Sequence, residues 1–300
     1  MRYAVSHQTV YQYNNAVSVS HHLIRLTPRQ LPHQNPVNHR IKVEPAPAVL
    51  DVHNDYFGNS VNFVTIEGTH RQFAVQSLCE IDLSDKPAVQ PHLTPAWEQV
   101  RDWCRGDSRA NPDRSCEFAF ASPLVPLRPE FAQYAASAFP ADKPVLEAGI
   151  DLMHHIHADF EFDPQATTVA TPIEQVLRQR RGVCQDFAQL QIACLRAHGL
   201  PARYVSGYLE TVPPPGQPKL IGADASHAWL QLWCGDAGWI DLDPTNDLLP
   251  RDRHITLAWG RDFADVSPLR GVLVGSGNHQ LKVAVDVTPL PQPVCGAAPA

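Results

Sequence analysis

Residues 181–195 read Arg-Gly-Val-Cys-Gln-Asp-Phe-Ala-Gln-Leu-Gln-Ile-Ala-Cys-Leu, and this stretch decides the fold. Apolar residues recur at positions 183, 187, 190 and 194, with a second set at 188, 192 and 195. This spacing predicts a helix that is apolar on most sides and therefore lies in a core. Gly182 frees the backbone for a turn into the helix, and Gly199 followed by Pro201 is the expected stop signal. The stretch predicts a loop that leads into a buried helix with Cys184 at its mouth.

The predicted position of Cys184 favours a reactive side chain. A cysteine in the first turn of a helix lies beside unpaired backbone N–H groups and the positive end of the helix dipole. Both favour the thiolate, which is the nucleophilic form of the side chain. A lone cysteine in an apolar helix is otherwise a small core residue. The functional interpretation of Cys184 therefore depends on which residues the rest of the chain brings to it.

Composition excludes several classes of function. The chain has 300 residues, of which 44% are hydrophobic, so it can bury a proper core. A net charge of −7 and a pI near 6.1 argue against nucleic-acid or anionic-membrane partners. Seven cysteines without a Cys-x-x-Cys pair argue against a disulfide framework and a structural zinc site. Residues 1–9 hold no apolar signal core, and we expect a soluble, cytoplasmic protein with no membrane segment.

Clusters of proline divide the chain into regions of different pattern. Residues 1–86 contain several short alternating runs separated by turn signals, which predict a β-sandwich-like N-terminal domain. Residues 87–130 are interpreted as a linker with one short helix. Residues 131–288 change from helical to strand periodicity, which predicts an α+β core with the cysteine-bearing helix packed on an antiparallel sheet. Residues 280–288 are expected to be its closing strand, and residues 289–300 a frayed tail.

A β-hairpin is predicted after the cysteine helix. Residues 226–234 and 239–243 both alternate at strand period, and the turn between them, residues 235–238, is Gly-Asp-Ala-Gly. On each strand the odd-numbered residues share one face. They are His227, Trp229, Gln231 and Trp233 on the first strand, and Trp239, Asp241 and Asp243 on the second.

The hairpin supports an inference about geometry. If Trp233 pairs with Trp239, His227 and Asp243 become diagonal neighbours within reach of long side chains. Asp241 lies farther from the histidine in this register. Asp243 is therefore the better carboxylate partner, although a slip of two residues would move the preference.

Cysteine, histidine and aspartate then have a joint interpretation. Cys184 is the candidate nucleophile, His227 the base that takes its proton, and Asp243 the residue that orients the imidazole. The backbone N–H of Cys184 is a natural oxyanion donor at the helix start. The second donor stays open, with Gln179 and Gln185 as candidates.

Several segments resemble the bacterial transglutaminase-like superfamily. The resemblance implies a papain-like core and a Cys-His-Asp triad, which falls on Cys184, His227 and Asp243. It further implies activity as a thiol peptidase, amidase or acyl transferase. The segments in the core are Gly182–Ala188, Ala202–Tyr208, Ser226–Trp229, Gly238–Asn246, His254-Ile255 and residues 259–268. Residues 7–13, 25–29 and 55–59 resemble the β-rich N-terminal domain of that family.

We therefore expect a thiol acyl-transfer enzyme that acts on a peptide or amide bond through a thioester, most simply by hydrolysis, as a cysteine peptidase or amidase. The runner-up activity is that of a protein-glutamine gamma-glutamyltransferase. A different class is a non-catalytic binding module that keeps the fold. The sequence identifies neither the substrate nor the oligomeric state.

No metal or cofactor is predicted. His154, His155 and His157 lie on one predicted helix at a spacing that places few ligands on one face. No acidic loop of the kind that calcium needs is visible. The remaining alternative is a zinc hydrolase with Cys184 among its ligands, together with the histidine and aspartate of the predicted triad.

Overall fold

The computed structural model describes residues 1–106, 115–210, 226–275 and 277–291. Its helices are α1 (Trp97–Arg105), α2 (Pro129–Ala135), α3 (Val145–Asp159), α4 (Ile173–Gln179), α5 (Cys184–Ala197) and α6 (Phe263–Val266). Its strands are β1 (Arg2–Ile24), β2 (Gln34–Glu44), β3 (Val49–Asn54), β4 (Ser60–Leu83), β5 (Glu161–Phe162), β6 (Arg181–Gly182), β7 (Ala202–Leu209), β8 (Ser226–Trp233), β9 (Trp239–Leu242), β10 (His254–Gly260), β11 (Leu269–Val274) and β12 (His279–Leu290). Among these residues no helix has the length and apolar character needed to cross a membrane.

Two long strands build the N-terminal sheet. β1 and β4 pair antiparallel over most of their length, and register shifts between Gln12 and Val19 interrupt the ladder. One half of the pair is flanked by β12 and β2, and the other half by β11 and β3. The two halves fold onto each other, because His22 of one half stacks on Phe73 of the other with ring centroids 3.7 Å apart. The expected α+β fold with a sandwich-like N-terminal part is confirmed.

The last strands of the chain belong to this first sheet. Residues 280–288, expected to close the catalytic core, lie in β12 and pair with β1 instead. The alternating pattern does identify a strand, and Val285 and Val287 are buried, whereas Leu281 and Val283 on the same face are exposed. Alternation identifies a strand and its inner face, but it does not identify the partner strand. β12 also continues to Leu290, into the predicted tail, and residues 292–300 lie outside the described residues.

The second sheet carries the core. Its four antiparallel strands lie in the order β10-β7-β8-β9, and α5 packs against β7 and β8. The hairpin has the predicted register, with Trp233 opposite Trp239 and Gln231 opposite Asp241. The helix is buried along nearly its whole length, as its apolar periodicity predicts, and it ends before Gly199, whose φ of 81° is left-handed.

Side-chain amides from the N-terminal sheet hold the edge of the core sheet. At edge strand β10, Gln34 donates from Nε2 to the Thr256 carbonyl (2.8 Å) and accepts the Thr256 N–H (2.7 Å). Asn59 binds Trp259 in the same two-way manner, at 2.8 and 3.0 Å. The Arg29 guanidinium lies 3.5 Å from the centre of the Trp259 ring. These contacts satisfy backbone groups that an edge strand would leave unpaired, and they fix β10 to the N-terminal part.

Candidate active site

The turn that delivers Cys184 differs from the one predicted. The left-handed residue after α4 is Arg180, with φ of 57°, whereas Gly182 lies in the short strand β6. Gly182 is needed for a different reason: a Cβ at this position would lie 2.7 Å from Asp186 Oδ2. That oxygen accepts the backbone N–H of Val183 at 2.8 Å. The glycine therefore makes room for the carboxylate that caps α5.

Cys184 is the first residue of α5 and is half-buried. The helix geometry leaves the first N–H groups without intrahelical acceptors, so they face the same region as the thiol. Of the two candidates for a second oxyanion donor, Gln185 is half-buried in the first turn of α5 and Gln179 is exposed at the end of α4. Cys184 is thus half-buried at the mouth of a buried helix.

His227 and Asp243 lie together, as the hairpin register predicts. His227 Nε2 lies 2.7 Å from Asp243 Oδ2, and the aspartate is fully buried. Its other oxygen, Oδ1, accepts the backbone N–H groups of Thr245 (3.0 Å) and Asn246 (3.2 Å), and Asn246 Nδ2 donates to Oδ2 at 2.8 Å. The Asp-Pro-Thr-Asn turn therefore folds around its own first side chain.

A second histidine, which sequence reasoning did not assign to the site, binds the same carboxylate. His254 Nε2, on β10, lies 2.9 Å from Asp243 Oδ2, and only 3% of His254 is exposed. The buried indole of Trp229 contacts both histidines, stacking on His227 and meeting His254 edge-on. In the sequence, His254 is marked only as the first residue of a segment that resembles the superfamily. That resemblance does not indicate what the His254 side chain does.

The hydrogen bonds determine which ring nitrogens carry protons. An ionised carboxylate only accepts, so both His227 and His254 present Nε2–H to Asp243. The Nδ1 atom of His227 is then the nitrogen left for Cys184, and the interaction with that side chain helps to raise the pKa of the imidazole. Nδ1 is therefore the ring nitrogen that can hold a proton given up by sulfur.

The electrostatics favour a charged imidazole. Burial alone opposes the imidazolium, but hydrogen bonds with Asp243 and Cys184 outweigh it and raise the pKa of His227 from 6.5 to about 10. Burial also opposes ionisation of Asp243, yet donation from both histidines holds its pKa well below the usual range. Burial lowers the pKa of His254, and the neighbouring Asp243 only partly offsets this. The site therefore combines a charged His227, an ionised Asp243 and a neutral His254.

These three residues have the composition of a metal site, and their spacing tests that interpretation. The ligand atoms of His227, Asp243 and His254 all lie within 4.8 Å of one another. Ligand atoms about 2.0–2.1 Å from a tetrahedral zinc ion are separated by roughly 3.3 Å. The two nitrogen-to-oxygen distances are 2.7 and 2.9 Å and converge on one oxygen, which is the geometry of hydrogen bonds. The zinc alternative built on Cys184 gains no support from this arrangement.

Comparison with known proteins establishes the family. Residues 3–82 match the family described as the bacterial transglutaminase-like N-terminal region, and residues 132–244 match the transglutaminase-like superfamily. An uncharacterized protein of Mycobacterium tuberculosis is 41% identical over 297 residues, which cover 96% of this chain and 93% of that protein. The chain belongs to the transglutaminase-like superfamily.

Two further relatives are more distant. A protein-glutamine gamma-glutamyltransferase of Pseudomonas aeruginosa is 29% identical over 134 residues, which cover 42% of this chain and 20% of that protein. The crystal structure of a "putative cysteine protease" from Cytophaga hutchinsonii has a TM-score of 0.75 at 21% identity, and covers 98% of this chain and 92% of its own. At this identity the likeness is evidence for the fold alone.

Proposed function

We propose that the protein is a thiol acyl-transfer enzyme that cleaves an amide or peptide bond through a thioester on Cys184. The observation that carries the proposal is the connected set of side chains at the mouth of α5. Cys184 is half-buried at the start of α5 and interacts electrostatically with the His227 imidazole, and His227 donates from Nε2 to the fully buried Asp243. The orienting carboxylate is thus hydrogen-bonded to the base, and the base acts on the nucleophile, which is the order of a catalytic triad.

The reaction follows from these positions. His227 Nδ1 holds the proton that the Cys184 thiol gives up, and the Cys184 sulfur attacks the carbonyl carbon of the amide. The backbone N–H groups at the start of α5 stabilise the negative oxygen. The C–N bond then breaks, and His227 returns the proton to the leaving amine. Water attacks the thioester with His227 again as base, which releases a carboxylic acid and restores the thiol.

The first experiment asks whether Cys184 is the reactive thiol. The full chain is treated with dilute iodoacetamide at pH 7, and the alkylated positions are followed by mass spectrometry. Cys184 is expected to react first, and His227→Ala should slow it. Cys194 is the matched control, because it lies in the same helix but is fully buried, and burial raises the pKa of its thiol. If Cys184 reacts no faster than the other cysteines, the non-catalytic binding module becomes the better hypothesis.

Transamidation is the second candidate, favoured by the similarity to the protein-glutamine gamma-glutamyltransferase of Pseudomonas aeruginosa. Hydrolysis and transamidation share the thioester and differ only in whether water or an amine attacks it. Incubation with a glutamine peptide and a labelled primary amine separates them. Free acid alone supports hydrolysis, incorporated label supports transfer, and neither product should form with Cys184→Ala. The cytoplasmic location stays a prediction from the sequence.

A further inference from the structure

We propose that His254 is a positioning residue of the active site, which holds the Asp243 carboxylate in place and shares it with His227. The inference rests on the proposed function for its catalytic meaning. Its geometric basis is that one oxygen, Oδ2, accepts from two imidazoles at 2.7 and 2.9 Å. A triad needs only the first of these bonds, so the second requires an explanation of its own.

Backbone pairing, burial and ring contacts restrict the orientation of the His254 side chain. It is the first residue of β10 and pairs with Leu209 of β7, and its side chain is almost completely buried. Its ring meets the Trp229 indole edge-on, with centroids 5.1 Å apart and an interplanar angle of 81°. The indole N–H is itself fixed by a 2.6 Å hydrogen bond to Asp241. The imidazole therefore has little freedom to turn away from Asp243.

The N-terminal sheet contributes to this placement. The amides of Gln34 and Asn59 bind the β10 backbone at Thr256 and Trp259, two and five residues beyond His254. They fix the strand from the side that faces away from the core sheet. The N-terminal part of the chain thus supports the orientation of a residue that touches the catalytic carboxylate.

The charges around His254 explain why its neutral form matters. Asp243 and His227 contact it directly, and Asp241 lies behind Trp229. On the neighbouring strand Glu210 is paired with Arg253. A neutral N–H donor on Oδ2 takes part of the hydrogen-bonding capacity of Asp243. Without that donor the carboxylate attracts the His227 imidazolium more strongly, so His227 keeps its proton to higher pH.

The test is an NMR titration of the full chain with isotopically labelled histidine. In His254→Phe, which removes the donor but keeps a ring, the titration midpoint of His227 should move upward by roughly half to one pH unit. His254→Gln retains an N–H donor and should keep the wild-type midpoint. His198→Phe is the matched control, because it removes a half-buried histidine at the far end of α5. A folded His254→Phe with the wild-type midpoint would overturn the proposal.

A second measurement needs no substitution. In the wild-type protein at pH 7, the ring nitrogen shifts of His254 should identify a neutral imidazole with its proton on Nε2. A proton on Nδ1, or an imidazolium, would overturn the proposal even if His254→Phe failed to fold. Failure of the proposed function is recognised separately, since it appears as the lack of preferential alkylation at Cys184, while the histidine spectra remain readable.

Discussion

The substitution Asp243→Asn keeps the size of the side chain and removes its charge. In the structure five donors converge on the two carboxylate oxygens. His227, His254 and the Asn246 side chain donate to Oδ2, and the Thr245 and Asn246 backbone N–H groups donate to Oδ1. An amide has a single oxygen, so in either orientation its NH2 group must face donors. Asp243→Asn therefore loses hydrogen bonds to some of these five donors, whichever way the side chain turns.

The consequence for Cys184 follows from the tautomer of His227. If the NH2 group faces His227, Nε2 becomes an acceptor and the proton moves to Nδ1, where it blocks proton transfer from sulfur. If the amide oxygen faces His227, the charge that stabilises the imidazolium is still gone. The loss of one hydrogen bond to a charged group costs about 1.5–3 kcal/mol. This corresponds to alkylation of Cys184 that is roughly 10- to 100-fold slower at pH 7.

The assay is the iodoacetamide reaction, with the rate at Cys184 measured for folded protein. Asp262→Asn is the matched control, because Asp262 is also fully buried but accepts backbone N–H groups of Leu124 and Ala264. It lies beside the other end of α5, where Arg196 binds the neighbouring Arg261 carbonyl. Equal slowing in both variants, or no slowing in folded Asp243→Asn, would refute the reasoning.

The same variant has a defined effect on stability. Because the pKa of His227 is raised from 6.5 to about 10, the folded protein binds this proton more tightly than the unfolded chain does. The resulting stability is fully present below pH 6.5 and is lost as the pH rises towards 10. In Asp243→Asn the unfolding free energy should therefore depend less on pH within this window, as measured by urea denaturation.

Three further changes test the surrounding structure. Gly207→Ala should lower stability by about 2 kcal/mol or more, because the new Cβ would lie 2.1 Å from the Ile255 carbonyl oxygen; an unchanged urea midpoint would contradict this. Gln34→Leu should cost about 2 kcal/mol, because the Thr256 N–H loses its acceptor and the Thr256 carbonyl keeps only the Arg29 N–H as a donor, and the urea midpoint again measures it. Burial lowers the pKa of His7 from 6.5 to about 4, so its contribution to stability is lost as the pH falls between these values. Denaturation of His7→Gln at pH 7 and 4.5 should show a smaller loss on acidification than wild type, and an equal loss would count against the assignment.

The sequence was sufficient to predict the features that depend on local periodicity. The spacing of apolar residues located α5 and its end before Gly199. Alternation around the turn at residues 235–238 located the two strands of the hairpin, and the structure confirms the pairing of Trp233 with Trp239 that was assumed for them. That register was enough to bring His227 and Asp243 together. Each inference used residues close in the chain, where a repeat of 3.6 or 2 residues fixes which side chains share a face.

The features that were missed depend on contacts between distant segments. His254 reaches Asp243 because the chain reverses through residues 244–253 and then enters β10 beside β7, and no periodicity spans that reversal. The role of Gly182 was misread for a related reason. Its constraint comes from the Asp186 side chain across the first turn of α5, and not from its own backbone angle. A sequence pattern predicts the backbone conformation of a residue better than it predicts how much space neighbouring side chains leave for that residue.

The pairing of β1 with β11 and β12 has a consequence for biosynthesis. β1 and β4 are made early, yet the strands β11 and β12 that flank β1 follow only about 200 residues after β4 is complete. At ribosomal speeds of ~5–20 residues per second, this interval lasts on the order of 10 to 40 seconds. Throughout it, one border of β1 offers open backbone donors and acceptors to any passing strand. We therefore expect the nascent chain to leave this border of β1 exposed until residues 269–290 have emerged, and a fragment that stops before residue 269 to keep it exposed.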